Sequence, residues 1–275
     1  MNVVDKTFRK IRSYKILGAE KIAEAAIVAW NKAEDKRYAE EKLSKARPTE
    51  PMLRNVLKYL SVYGNAKELL VNLKLDIKKI AKIGAKKIRD GMIVFTHCHS
   101  STVESILKEA KREGKKFEVY VTETRPLYQG RTTAKNLAKA RIPVTLFIDS
   151  AARLALKKAD IMLIGADAIT SEGIVINKIG SELFANIANK YEVPVYSCTH
   201  SWKFDAGTVF GFEEKIEKLM KRKIWTKPPR RVKINSYAFE RIKPDVISGI
   251  ISELGIYKPE VFVEEVKKNY EWMFK

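Results

Sequence analysis

Residues 91–101 read GMIVFTHCHSS, and their reading decides the fold. A glycine is followed by a short apolar run, then by polar and ionisable residues, then by the amphipathic stretch TVESILKEAKREG (102–114). The run is too short for a helix and ends where a turn begins, so it predicts a buried strand followed by a helix. The same cycle recurs downstream. FEVYVT (117–122), VTLFI (144–148), IMLIG (161–165), GIVIN (173–177) and VPVYS (193–197) are short apolar runs, and RTTAKNLAKARI and SELFANIANKYE are amphipathic segments between them. Strands alternating with helices predict a parallel sheet covered on both faces. DVISGIIS (245–252) is a further strand candidate.

Upstream the texture differs. GAEKIAEAAIVAWNKAEDKRYAEEKL (18–43), EPMLRNVLKYLSVY (50–63) and AKELLVNLKLDIKKIAKIGAKKIRD (66–90) carry apolar residues at helical spacing among strong helix formers. Pro48, Pro51 and the pair Gly64-Asn65 mark breaks between helices. The expected organisation is a helical N-terminal domain over 1–90 and a doubly wound α/β domain with a parallel sheet over 91–275. A chain of 275 residues with 45% hydrophobic content is long enough for both.

No apolar run reaches transmembrane length, and the charged N-terminus lacks the core of a signal peptide. Two cysteines cannot form a disulfide framework, which fits a reducing cytoplasm. The net charge of +20 points to an anionic partner, whether phosphate, acidic protein or nucleic acid. Abundant Lys and Glu with a single Gln also fit a hyperthermophile composition, in which many lysines are simply solvated. Charge is densest in KIEKLMKRKIWTKPPRRVK (215–233), where Trp225, Pro228 and Pro229 argue for a loop. Neither a run of aromatics for base stacking nor a zinc finger accompanies it.

Ligands of open parallel sheets bind beyond the carboxyl ends of the strands. Those positions hold Thr96-His97-Cys98-His99, Thr122-Glu123-Thr124-Arg125, Asp149-Ser150, Ala166-Asp167, Asn177-Lys178 and Cys198-Thr199-His200. A thiol, carboxylates, an arginine and a lysine at one edge fit a small-anion pocket. Ser101 and Glu104 have capping-box spacing, and a helix N-terminus there would favour anions and lower the pKa of a nearby thiol. Cys98, His97, His99, Cys198 and His200 include zinc-type ligands. Consecutive residues of an extended segment alternate faces, however, and no cysteine pair has zinc spacing. Cys98 is then either an inert buried hydrophobe or a functional thiol opposite a carboxylate, with Asp167 as the partner.

THCHSS (96–101), VTETRPLYQG (121–130), GADAITSEGIVINKIGS (165–181) and SWKF (201–204) together resemble one superfamily. It unites the alpha, beta and delta subunits of translation initiation factor 2B with methylthioribose-1-phosphate isomerase and ribose-1,5-bisphosphate isomerase. ARPTEPML (46–53) resembles the RPT segment of the isomerase branch. The resemblance implies a Rossmann-like C-terminal domain, homodimers or larger homo-oligomers, and no metal or other cofactor. It implies Cys98 and Asp167 as an acid–base pair. On the matching motifs it marks Gly18, Ala19, Arg47, Arg125, Gln129, Asn177, Lys178 and Lys203 as ligand-binding residues. Two departures stand out: Leu17-Gly18-Ala19 occupies the place of an RGA segment whose arginine holds phosphate, and His99 replaces an asparagine. The pair speaks for chemistry and the missing arginine against it. The expectation is therefore an initiation-factor-2B-like regulator with a phosphorylated sugar or nucleotide in its pocket. It could meet the alpha subunit of archaeal initiation factor two. A working sugar-phosphate aldose–ketose isomerase is the alternative.

Overall fold

The computed structural model describes every residue except 1, 14, 17, 48, 214, 215 and 217. Five helices come first: α1 (Val3–Arg12), α2 (Ala19–Lys32), α3 (Lys36–Ser44), α4 (Pro51–Tyr63) and α5 (Ala66–Ala85). The stretch read as one helical run over 18–43 divides in two. Asp35 caps α3, accepting the Tyr38 amide at 2.9 Å, so the chain turns between α2 and α3. Gly64 ends α4 in the left-handed region and Asn65 caps α5. The two proline breaks differ in outcome: Pro51 opens α4, whereas Pro48 lies outside the described residues.

From residue 91 the chain runs β1 (Ile93–Thr96), α6 (Ser101–Arg112), β2 (Glu118–Thr122), α7 (Gln129–Lys139), β3 (Val144–Phe147), α8 (Ala152–Leu156) and β4 (Ile161–Ile164). Then come β5 (Ala168–Ile169), β6 (Val175–Lys178), α9 (Ser181–Lys190), β7 (Val195–Cys198), β8 (Phe239–Ile242), β9 (Gly249–Ser252), β10 (Gly255–Tyr257) and α10 (Pro259–Asn269). The main sheet has the order β10-β9-β7-β4-β1-β2-β3, and every pairing is parallel except β10 with β9. Neighbouring strand residues face opposite clusters. Phe95, Met162, Ile164 and Ile250 pack with α1–α4 and α8–α10, while Val94, Ile161, Leu163 and Ile251 pack with α5, α6 and α7. Both faces are therefore covered, as continuous apolar strands require.

The strand order places the site. The chain builds β1, β2 and β3 in one direction, then crosses to β4 on the other side of β1 and continues through β7 and β9. The reversal falls between β1 and β4, the position at which open parallel sheets bind ligands beyond their carboxyl edge.

One expectation is corrected. GIVIN does not join the main sheet. Its strand β6 lies between β5 and β8 in a separate three-stranded antiparallel sheet. All four β6 residues are buried, so the pattern mimics a central parallel strand. Among the described residues no helix is long and apolar enough to cross a membrane.

Candidate active site

Cys98 follows β1 and Asp167 follows β4, the two strands that flank the reversal. Cys98 is buried and adopts φ 67°, in the left-handed region that a side chain with a Cβ rarely enters. Two threonines hold it there. The Cys98 amide donates to Thr124 Oγ1 at 3.0 Å, and Thr133 Oγ1 donates to the Cys98 carbonyl at 2.9 Å. The alternating-face argument thus lapses at Cys98, which has left the extended conformation. The flanking histidines are occupied elsewhere. His97 Nε2 lies 3.0 Å from the Ile179 carbonyl and Nδ1 2.5 Å from Thr122 Oγ1. His99 Nδ1 lies 3.0 Å from Glu104 Oε1. Cys198 is packed in the cluster beneath α6, as a small hydrophobe.

Burial pushes the Cys98 thiol up to about 11, which the Lys178 charge opposes, while Asp167 and Asp149 raise it further. The helix N-terminus therefore does not produce a depressed thiol: desolvation outweighs it, and the group stays protonated at neutral pH. The charges of Lys178, Asp167 and Asp149 are thus near enough to act on Cys98.

The cap of α6 also differs from expectation. Ser100, not Ser101, is the N-cap, accepting the Val103 amide at 3.3 Å. Burial would raise the Glu104 carboxyl, but hydrogen bonds from His99, Asn136 and Lys108 hold it below the usual range. Gly165, ahead of Asp167, is required by proximity, since a Cβ there would lie 2.8 Å from Ser100 Oγ.

The other expected residues divide into groups. Asn177 and Lys178 come from the small sheet. Asn177 donates to Ser181 Oγ at 3.0 Å, and the Lys178 ammonium sits 4.1 Å from the centroid of the Phe239 ring. Arg125 is exposed, stacks on Tyr128 and donates to its hydroxyl. Gln129 opens α7. Gly18, at φ 89°, and Ala19 open α2, whose Glu20 accepts from Thr102 Oγ1 at 3.2 Å, so the N-termini of α2 and α6 meet. Arg47 is half-buried between α3 and α4. Leu17, the arginine replacement, lies outside the described residues. Lys203 is buried, and its ammonium donates to the Ala166 carbonyl at 2.7 Å, next to Asp167.

For two of the strand-end residues, Asp149 and His200, the sequence reading gave no partner. Asp149 accepts the Thr124 and Arg125 amides at 2.8 and 2.6 Å, fixing the turn that carries Arg125. His200 is fully buried between Asp76 Oδ2 at 3.2 Å and Glu253 Oε1 at 3.5 Å. Burial alone would lower its pKa, but Glu253 and Asp76 outweigh burial and raise it. These three are the group among the described residues whose donor atoms lie close enough for a shared cation. Glu253 is already committed to the Ser201 amide and the Tyr270 hydroxyl, so hydrogen bonding accounts for its placement.

His97 carries a testable consequence. A carbonyl can only accept, so its Nε2 bears the proton and the neutral ring receives the Thr122 hydroxyl at Nδ1. Burial lowers its pKa to about 4. A folded-state pKa below the unfolded value gives stability that is present above pH 6.5 and lost as pH falls through 4, roughly 3 kcal/mol in all. His200, whose pKa is raised, acts with the opposite sign and above pH 6.5, where its contribution is lost as pH rises. Denaturant titrations at pH 7 and pH 4.5 are therefore compared between wild type and His97→Gln, and the variant should lose less stability on acidification. Equal losses would contradict the assignment.

Comparison with known proteins agrees with this architecture. The profile of the initiation factor 2 subunit family matches residues 21–259. Ribose 1,5-bisphosphate isomerase of Methanocaldococcus jannaschii is 35% identical over 301 aligned positions, covering 100% of this chain and 98% of that protein. A putative translation initiation factor eIF-2B subunit 2-like protein of Pyrococcus furiosus is 31% identical, with 93% and 96% covered. The crystal structure of the Pyrococcus horikoshii OT3 translation initiation factor eIF-2B superposes with a TM-score of 0.80 at 28% identity, covering 94% of this chain and 98% of that one. With a reversal between β1 and β4, THC and GAD loops at its rim and a family match across most of its length, the chain belongs to the initiation factor 2 subunit family.

Proposed function

We propose that the chain is an aldose–ketose isomerase of the ribose 1,5-bisphosphate type, with Cys98 and Asp167 as its acid–base pair. The observation that carries this reading is the emergence of a protonated thiol and a carboxylate from the two strands that flank the sheet's reversal. High-coverage likeness to ribose 1,5-bisphosphate isomerases supports it over the regulator first expected. Aldose and ketose differ only in where protons sit. Asp167 would take the proton from C2 and pass it to the ring oxygen released as the C1–O bond breaks, while the Cys98 thiol would supply a proton to C1 and be restored by the one leaving the C2 hydroxyl. Lys178 and the α6 N-terminus would face the negative charge that develops between these steps. Arg125, Gln129, Asn177 and Arg47 would contact substrate, with Gly18 and Ala19 offering the backbone of the α2 N-terminus to a phosphate.

A regulator of the eIF-2B type remains the second reading, favoured by the likeness to the Pyrococcus furiosus and Pyrococcus horikoshii proteins. Homo-oligomers belong to both readings. β3 is an edge strand of the main sheet and exposes Leu146, with Ile148 and Leu154 exposed just after it in sequence. The deciding experiment incubates the pure chain with ribose 1,5-bisphosphate and follows the ketose by NMR. Product formation is expected. Absence of product, with complex formation between this chain and the alpha subunit of archaeal initiation factor two, would favour the regulator.

A further inference from the structure

Between Lys218 and Tyr237 the chain has eight Lys or Arg residues and no Asp or Glu. This segment leaves the body of the protein as a closed arm. Its base is pinned where the Leu219 amide donates to the Ser236 carbonyl and Ser236 Oγ to the Leu219 carbonyl, both at 2.7 Å. Residues 221–233 are all exposed, and none of the arm's cations is ion-paired among the described residues. The backbone is irregular beyond a single 3₁₀ turn at Lys221–Lys223, and Pro228-Pro229 prevents a helix. Trp225 stands 49% exposed among these cations, and Tyr237 45% exposed at the base.

We propose that this arm binds single-stranded RNA, independently of the Cys98 site. Its charge exceeds what a small sugar phosphate can neutralise, and it is spread along an exposed stretch of chain that a polyphosphate backbone complements. An exposed indole amid cations is a stacking platform, and only an unpaired base offers it a free face. A membrane fits less well, because the exposed apolar residues are interleaved with cations in an irregular chain and do not form one face of a helix.

The test uses the full chain and a fluorescein-labelled 20-nucleotide polyuridylate, with anisotropy read from 50 to 300 mM KCl. Log affinity should fall against log salt with a slope of about −3 or steeper, corresponding to four or five neutralised phosphates. Reversing Lys221, Arg222, Arg230 and Arg231 to Glu should weaken binding at least ~100-fold at 100 mM KCl and flatten the slope. Trp225→Ala should weaken it about 5- to 100-fold with the slope unchanged, a response that general surface charge does not give. Thermal melts should stay put, since these side chains are exposed. No binding at 50 mM KCl, equal binding by the charge-reversed arm, or an unaffected Trp225→Ala overturns the proposal. So does polyglutamate competing as well as RNA, or capture by anionic vesicles without RNA binding.

Discussion

Cys98→Ser should reduce turnover of ribose 1,5-bisphosphate about 100- to 10,000-fold, the range in which a positioned acid or base acts. A serine hydroxyl nearly fills the thiol's space but is a far weaker acid, so the fold should survive where the proton transfer does not. The substrate dissociation constant, measured by calorimetry, should change little. Asp167→Asn should fall as far, and the double variant little further, because either loss breaks the same transfer. The pH profile adds a second constraint. Burial raises the thiol to about 11, and the proposed acid role uses its protonated form. The alkaline fall of kcat/KM should therefore lie near pH 11 rather than near the ordinary thiol range, and should vanish from the residual activity of Cys98→Ser. A serine variant with near-wild-type kcat would remove Cys98 from the chemistry.

Gly130→Ala should destabilise the protein by about 3–5 kcal/mol, an effect outside the usual range for one methyl group. An added Cβ would lie 1.7 Å from the Thr122 carbonyl oxygen, 2.9 Å from its carbon and 3.1 Å from the Glu123 carbonyl carbon. All three are backbone atoms and cannot rotate aside. Relief requires α7 to withdraw from the end of β2, dragging the turn that carries Arg125. The melting temperature should fall by roughly 10 °C. A fall of less than about 2 °C would contradict the close approach of α7 to β2.

The parallel sheet was legible in the sequence because its strands are short, apolar on both faces and separated by amphipathic helices. MIVFT, IMLIG and VPVYS could hardly be read otherwise. GIVIN was misplaced because burial on both sides looks the same in either sheet. Its partner β8 lies more than sixty residues downstream, and no local signal links them. Cys98 and Asp167 were singled out because both fall within three residues of the end of an apolar run. The left-handed turn at Cys98 was not foreseeable, since Thr124 and Thr133 that impose it come from other segments. Glu253 also follows an apolar run and could have been read as a candidate. Asp76, in the middle of a lysine-rich helix, gave no hint of its buried histidine partner.

The helical layer is tied to the loop bearing the acid by an unbroken series of contacts. Asn55 on α4 donates to the Trp202 and Phe204 carbonyls at 2.8 and 2.9 Å, Arg54 pairs with Asp205 at 2.8 Å, and Lys203 between them grips Ala166. The first ninety residues thus serve as a chassis for the carboxylate, not merely as a cover. The setting of the Asp167 loop is inherited from how the two halves of the chain seat on each other, a tolerance set some 110 residues upstream of the acid itself.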